Sequence, residues 1–216
     1  RLNTSDEVVA KLDPVTGALL NPQAGFNNLS NESWLWGADI TLSSNLDLIS
    51  WWGQVDLFTY SYAWAGDPKL IDKGLYTKMQ QHPDDVRLNQ FDADLWPTGK
   101  FFNQSREEGG QRTITDDYVY MRMEEMYLLN AEANAKLTQD VAARTSLKGL
   151  LSKRMTNYAY VDALSGQALQ DEIYLQTRVE LWGEGKSYLA MKRNKATITR
   201  GANHLFFAGN SFAYND

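Results

Sequence analysis

Apolar and polar positions recur with two different periods along this chain, and the longest helical pattern lies near its middle. Residues 116–137 contain no Gly or Pro and are rich in Met, Leu, Glu and Ala, which are good helix formers. Met123, Met126, Asn130, Ala133 and Leu137 fall at helical spacing, with Tyr127 widening the stripe. Asp116 and Asp117 place negative charge where a helix dipole and its orphan N–H groups favour it. The break at 138–140 is short. It predicts that 118–137 packs antiparallel on a second helix, 141–155, whose apolar side is Leu147, Leu150, Leu151 and Met155. Ala131, Ala133 and Ala135 are small enough for a close partner, and Gly149 costs that second helix about 1 kcal/mol against Ala.

Residues 168–182 and 186–195 predict a third and a fourth helix, separated by Gly183 and Gly185, with Asp171 and Glu172 in the early turns of the third. Ile71, Leu75 and Met79 predict a short amphipathic helix that His82-Pro83 stops. Upstream the period changes. Trp34, Trp36, Ala38, Ile40 and Leu42 alternate with smaller or polar residues, so 32–42 reads as a half-buried strand. Residues 1–31 carry Asp13-Pro14, Thr16-Gly17, Asn21-Pro22 and Gly25 and predict loop, with at most a short helix near 7–12. The tail, 196–216, has no helical pattern.

Composition changes this picture at one point, the aromatic content. Seven Trp, eleven Tyr and eight Phe stand among 216 residues. In an extended chain Phe58, Tyr60, Tyr62 and Trp64 share one side, opposite the small Thr59, Ser61 and Ala63, before the turn Gly66-Asp67-Pro68. Trp51, Trp52, Tyr60, Tyr62 and Trp64 are interspersed with Gly, Ser, Asp and Gln instead of aliphatics. They are the candidate ligand-binding residues: they form either an exposed arc able to stack on the apolar C–H faces of sugars or part of the core. Gln54, Asp56 and Asn45 are candidates for hydrogen bonds to hydroxyls. Trp34 and Trp36 lie on an alternating apolar face and Trp182 on a helix, so core packing is expected of them. Trp96-Pro97 reads as loop.

The remaining chemistry points away from several classes. A net charge of −6 argues against a nucleic-acid partner, which needs clustered Lys and Arg. No apolar run approaches the roughly 18 residues of a membrane span, and without Cys there are no disulfides and no thiolate metal sites. His82 and His204 lie in no HExxH pattern, and there is no nucleophile elbow or P-loop. Asp84, Asp85, Asp92 and Asp94 suit turn or surface roles as well as a glycosidase pair, and Asp92-x-Asp94 lacks the other ligands of a calcium loop. The expectation is a binding protein, not an enzyme, with no metal and no cofactor.

A family resemblance gives this expectation a shape. Arg122-x-Glu124-Glu125-x-x-Leu128-Leu129-Asn130-Ala131-Glu132-Ala133 resembles the RxAExxLxxAEA hallmark of the SusD/RagB family. A second run, Arg178-Val179-Glu180-Leu181-x-x-Glu184-Gly185 through Arg193, is similar to another signature of that family. It departs at Thr177, at Lys186 and at Ala190-Met191, where Glu, Arg and Asp-Leu are usual. Glu32 and Trp36, Pro83–Arg87, Lys100-Phe101 and, more loosely, the ending at Arg154 match weaker elements.

The resemblance implies a mainly α fold. It would be a helical-repeat, tetratricopeptide-type scaffold at 116–195, a loop-rich and aromatic ligand-facing part with few short strands at 1–115, and a tail at 196–216. It also implies a lipid-anchored, surface-exposed protein of the outer membrane that captures an oligosaccharide or polysaccharide and passes it to a SusC-like TonB-dependent transporter. On that basis the chain is expected to be the C-terminal half of a longer protein, with signal peptide, anchor and earlier repeats lying before it. Arg122, Glu124, Glu125, Glu132, Arg178, Glu180 and Glu184 are expected to form ion pairs between helices, not ligand contacts. The alternative is a helical-repeat interaction module that binds a protein segment.

Overall fold

Turn-forming residues dominate the first hundred positions, and side-chain hydrogen bonds hold them where regular elements do not. The computed structural model describes residues 1–109 and 112–213. The fold is mainly helical with few short strands. It divides into two compact units, Arg1–Ile71 with Val86–Met123 and Asp72–Asp85 with Glu124–Asp216. Gly110, in the loop expected at 107–110, and positions 214–216 of the tail lie outside the described residues.

In the first unit, α1 (Ser5–Val8) is a single turn closed by a capping box between Thr4 and Glu7. Arg1 donates twice to the Glu7 carboxylate, both at 2.7 Å, and these bonds pull its pKa down to about 2. β1 (Trp34–Ala38) pairs antiparallel with β2 (Tyr118–Arg122), Gly37 opposite Val119 and Ala38 opposite Tyr118. Between them in sequence lies α2 (Trp52–Val55), again one turn. Phe26, Trp52, Val55, Phe101, Phe102 and Ile114 are buried at the centre of this unit. Cations cover the rings: Lys100 Nζ lies 5.2 Å from Phe26 and 5.0 Å from Phe101, and the Arg122 guanidinium lies 5.0 Å from Phe26.

Two expectations fail here. Residues 118–122 are strand, not the start of the long helix. Tyr118, Val119 and Tyr120 are strand formers, and Met123 N donates to Ser33 O at 2.8 Å where β2 ends. Asp116 and Asp117 are accordingly not helix caps but buried acceptors. Asp117 takes the N–H groups of Leu29 and Ile40, both at 2.8 Å, and Asp116 takes Asn103 Nδ2 at 3.1 Å. Trp36 is not core. The register of β1 is irregular on both sides of it, which breaks the alternation and turns it out at 63% exposure, while Trp34 is half-buried.

In the second unit, Asp72 caps α3 (Lys73–Met79) by accepting Leu75 N at 2.9 Å, and Leu75 and Met79 are buried. The scaffold is α4 (Met123–Lys136), α5 (Asp140–Leu151), α6 (Gly166–Glu180) and α7 (Ser187–Arg193). α4 and α5 run antiparallel. Ser146 Oγ meets Asn130 Oδ1 at 2.5 Å, and Gly149 sits under Tyr127 so closely that a Cβ would lie 2.8 Å from the ring. The glycine that weakens α5 by propensity thus permits its contact with α4.

The buried face of α4 is Glu124, Leu128, Ala131, Glu132 and Ala135. The expected stripe was rotated from it, and Asn130, Ala133 and Leu137 are exposed. The displacement has an electrostatic cause, because carboxylates belong to the buried face. Arg154 forms a fork with Glu180 (Nε 2.9 Å, Nη2 2.8 Å) and reaches Glu124 at 3.2 Å, all three side chains being almost wholly buried. Arg193 pairs with Glu132 at 3.1 Å and Lys186 with Glu125 at 3.0 Å. Burial raises the Glu132 pKa, but hydrogen bonds from Arg193 and Lys136 outweigh it and the net shift is downward. Arg178 instead lies 5.8 Å over the Tyr174 ring, and Trp182 is half-buried. The tail forms a small hairpin of β3 (Thr197–Thr199) and β4 (Ser211–Ala213).

Candidate functional site

The aromatic stretch in the first unit does not run as a strand. α2 begins at Trp52, and Gly53 packs against the chain so tightly that a Cβ would lie 2.0 Å from Leu48 O. That approach fixes the direction of the two adjacent tryptophans. Trp52 points inward, fully buried, and its Nε1 donates to Asp117 O at 3.3 Å. Trp51 stays half-buried, edge-on to Trp52 at 4.8 Å and to Phe101 at 4.7 Å, with Tyr118 tilted beside it at 5.9 Å. Trp52 therefore supports the surface from below and has no face left for a sugar, which corrects its assignment as a ligand residue.

Asp56 is likewise not a surface donor-acceptor. It is buried and accepts Phe58 N at 2.9 Å and Thr59 Oγ1 at 2.5 Å, and burial raises its pKa. From it the chain coils through successive turns. Ser61 Oγ donates to Asp56 O and accepts Trp64 N, and Ala63 N donates to Gly53 O at 3.0 Å. This knot presents the next rings. Tyr62 and Trp64 are 43% and 42% exposed, and Tyr60 is half-buried against Trp64 with ring centroids 4.8 Å apart and planes 36° apart. Phe58, expected on the same side, is buried beneath the Arg106 guanidinium, 4.3 Å away.

Trp64 also leans on the neighbouring loop. Gly109 has φ +65° and no room for a Cβ, which would lie 2.8 Å from the indole. The Arg112 guanidinium stacks 4.7 Å from the Tyr60 ring. The surface so built is a pair of rings, a third exposed Tyr and an exposed Arg, set on a turn that backbone bonds hold. Gln54 is half-buried and Asn45 exposed with φ +51°. Trp96 is half-buried in a turn whose N–H groups Asp92 accepts.

Among carboxylates, Asp84 takes Thr156 N, Thr156 Oγ1 and Asn157 N, and Asp92 takes Asp94 N, so both hold turns. Asp116 stands apart. Burial, with the charges of Asp56 and Asp117 nearby, pushes its pKa up to about 7 against the bonds from Asn103. Among the described residues no group of three or more His, Cys, Asp and Glu is placed to hold a metal ion, and no helix is long and apolar enough to cross a membrane. The cleft lined by Glu125, Leu128, Lys186 and Leu189 offers about 20 Å³, room for roughly one water and too little for a sugar.

The model of the SusD family matches residues 54–215. A SusD-like carbohydrate binding protein of Bacteroides vulgatus is similar in structure, with 28% identity and a TM-score of 0.61 over 82% of this chain and 38% of that one. A SusD superfamily protein of Bacteroides thetaiotaomicron is similar at 20% identity and a TM-score of 0.69, over 96% and 45%. Another from B. vulgatus follows at 21% and 0.63, over 83% and 40%. The chain thus spans less than half the length of these solved structures. No curated protein matches.

Proposed function

Because the chain belongs to the SusD family, we propose that the protein of which it forms part captures oligosaccharides and passes them to a SusC-like TonB-dependent transporter from a lipid-anchored position on the outer membrane. The observation that carries this reading is the Tyr60–Trp64 pair with the exposed Tyr62 beside it. A sugar offers an apolar C–H face to such rings and hydroxyls to the polar groups around them. Each ring contributes about 1 kcal/mol, on the scale of other aromatic contacts. Two or three rings give capture weak enough to permit release. Trp51, half-buried, remains a candidate contact, with Trp52 packed edge-on against it. No covalent chemistry is part of this reading.

Affinity electrophoresis of the full-length protein through gels containing neutral polysaccharides tests it. The wild type should be retarded by at least one polysaccharide, and Trp64→Ala should be retarded distinctly less while keeping its melting temperature. Equal retardation of Trp64→Ala and wild type would contradict the assignment of this surface. Retention of a protein segment instead of any glycan would favour the interaction-module reading.

A further inference from the structure

The hairpin of the second unit carries side chains that the reading above does not use. Between β3 and β4 the chain turns through 200–210, and at its tip Leu205, Phe206 and Phe207 are 87%, 71% and 66% exposed. Three consecutive large apolar side chains standing in water at one point are unfavourable unless something covers them. The charge beside them has one sign. From Gly185 to Ala213 the sequence has five Lys or Arg and no Asp or Glu, although the whole chain carries a net charge of −6. Lys192, Arg193 and Lys195, just before the hairpin, are exposed.

The tip is held in shape from inside. Arg200 N donates to Asn210 O at 3.0 Å and Gly209 N to Arg200 O at 2.8 Å, which closes the neck, and Asn210 N donates to Phe207 O at 3.1 Å. The Arg200 guanidinium lies 5.7 Å from the Phe207 ring and 5.2 Å from the Phe212 ring, and its Nη1 donates to Phe206 O at 2.8 Å. Phe207 is kept at φ +55°, a conformation bulky side chains rarely adopt. The base is tied to α3. Asp72, which caps that helix, also accepts Gly201 N at 3.0 Å and lies 3.6 Å from His204 Nε2, while Asn203 Oδ1 accepts Lys73 N at 3.1 Å. The acid at this base is thus engaged, and Lys73 beside it is exposed.

We propose that Leu205, Phe206 and Phe207 are an interfacial contact that dips into a lipid bilayer with anionic headgroups, whose phosphates the cations around the hairpin meet. The proposal goes beyond the glycan reading and stands on different residues. An apolar point with basic residues behind it is the combination that binds an anionic lipid surface, by buried apolar area together with attraction to the headgroups. The backbone bonds within 200–210 satisfy polar groups that would otherwise enter the apolar layer unpaired. A protein partner would have to offer a pocket matched to three large side chains, whereas a bilayer takes such a point as it stands. The rest of the chain is acidic, so an anionic surface repels it elsewhere and favours approach by the hairpin.

The test is cosedimentation of the full-length, unacylated protein with vesicles of phosphatidylcholine, alone or with about one-third phosphatidylglycerol. The wild type should bind the anionic vesicles, bind the neutral ones several-fold less, and be released as salt rises. Leu205→Ser/Phe206→Ser should lose about ten-fold or more in affinity for the anionic vesicles, with melting temperature and glycan binding unchanged. Lys192→Gln/Lys195→Gln should weaken binding to the anionic vesicles alone. Val15→Ser, at a position 90% exposed outside the hairpin, should bind as the wild type does. The proposal is overturned if the wild type leaves anionic vesicles unbound, or if the Leu205/Phe206 variant binds them equally well. It is also overturned if that variant melts lower, or turns from dimer to monomer in gel filtration, because the tip then covers another part of the protein or a second copy. Glycan binding is measured separately on the same variants, so either reading can fail alone.

Discussion

Replacing Arg154 by Ala should unfold the helical unit at markedly lower temperature without touching the sugar surface. The Arg154 side chain is fully buried and holds two carboxylates, Glu180 by two bonds and Glu124 by one. These residues lie after α5, on α6 and on α4, so the trio ties together three segments far apart in sequence. Removing the guanidinium takes from both carboxylates a cation they share in a region that water does not reach. Breaking one partner from a buried pair costs about 3–5 kcal/mol. For a domain of this size each kcal/mol moves the midpoint by about 2–4 °C, so the expected drop is about 6–20 °C. Arg154→Lys keeps the charge but loses the planar fork and should fall between. Exchanging the trio for apolar residues, Arg154→Met with Glu124→Leu and Glu180→Leu, should recover most of the loss, because it removes the uncompensated charge as well as the pair. The assay is thermal unfolding followed by circular dichroism at pH 7. A midpoint for Arg154→Ala within 2 °C of wild type, or a loss of glycan binding at an unchanged midpoint, would refute the reasoning.

Other outcomes follow from the first unit. Trp52→Ala removes a fully buried indole and should cost about 3–5 kcal/mol, a loss read in the urea midpoint, whereas Trp64→Ala should leave that midpoint unmoved. Gly53→Ala should destabilise although Ala is the better helix former, since its Cβ would lie 2.0 Å from Leu48 O; a gain in melting temperature would show that the backbone gives way. Asp116 has a folded pKa of about 7 against an ordinary 3.8, so the folded state binds the extra proton in that window. Its contribution therefore weakens stability as pH rises from about 4 to about 7, by up to about 4 kcal/mol. Asp116→Asn should stabilise increasingly over wild type between pH 5 and pH 8, and a gap that stays constant with pH would contradict this.

The scaffold was legible because its signals are local. Leu147, Leu150 and Leu151 keep the helical period, though the helix expected to reach Met155 ends at Leu151, and Gly183 and Gly185 mark the break between α6 and α7. The long Met, Glu and Leu run hid β2, because three strand formers, Tyr118, Val119 and Tyr120, were averaged into a helical neighbourhood. α4 was placed but turned, because apolar period alone cannot reveal that Glu124 and Glu132 face inward to meet Arg154 and Arg193. At the candidate site, composition identified the aromatic stretch but could not orient it. Which of two adjacent tryptophans is buried depends on Gly53 meeting Leu48, and the exposure of Trp36 depends on a register irregularity set by a strand eighty residues away. Asp56, read as a surface group, is a buried turn acceptor for the same kind of reason.

The central claim, that the turn carrying Tyr60, Tyr62 and Trp64 takes sugar, is tested most directly by isothermal titration of the full-length protein and its Tyr60→Ala/Trp64→Ala variant against a panel of soluble glycans. The account predicts saturable binding by the wild type to at least one glycan, and loss of about ten-fold or more in affinity for the variant, about 0.5–1.5 kcal/mol per ring, at an unchanged melting temperature. Wild-type and variant isotherms that superimpose on a glycan that binds would contradict it.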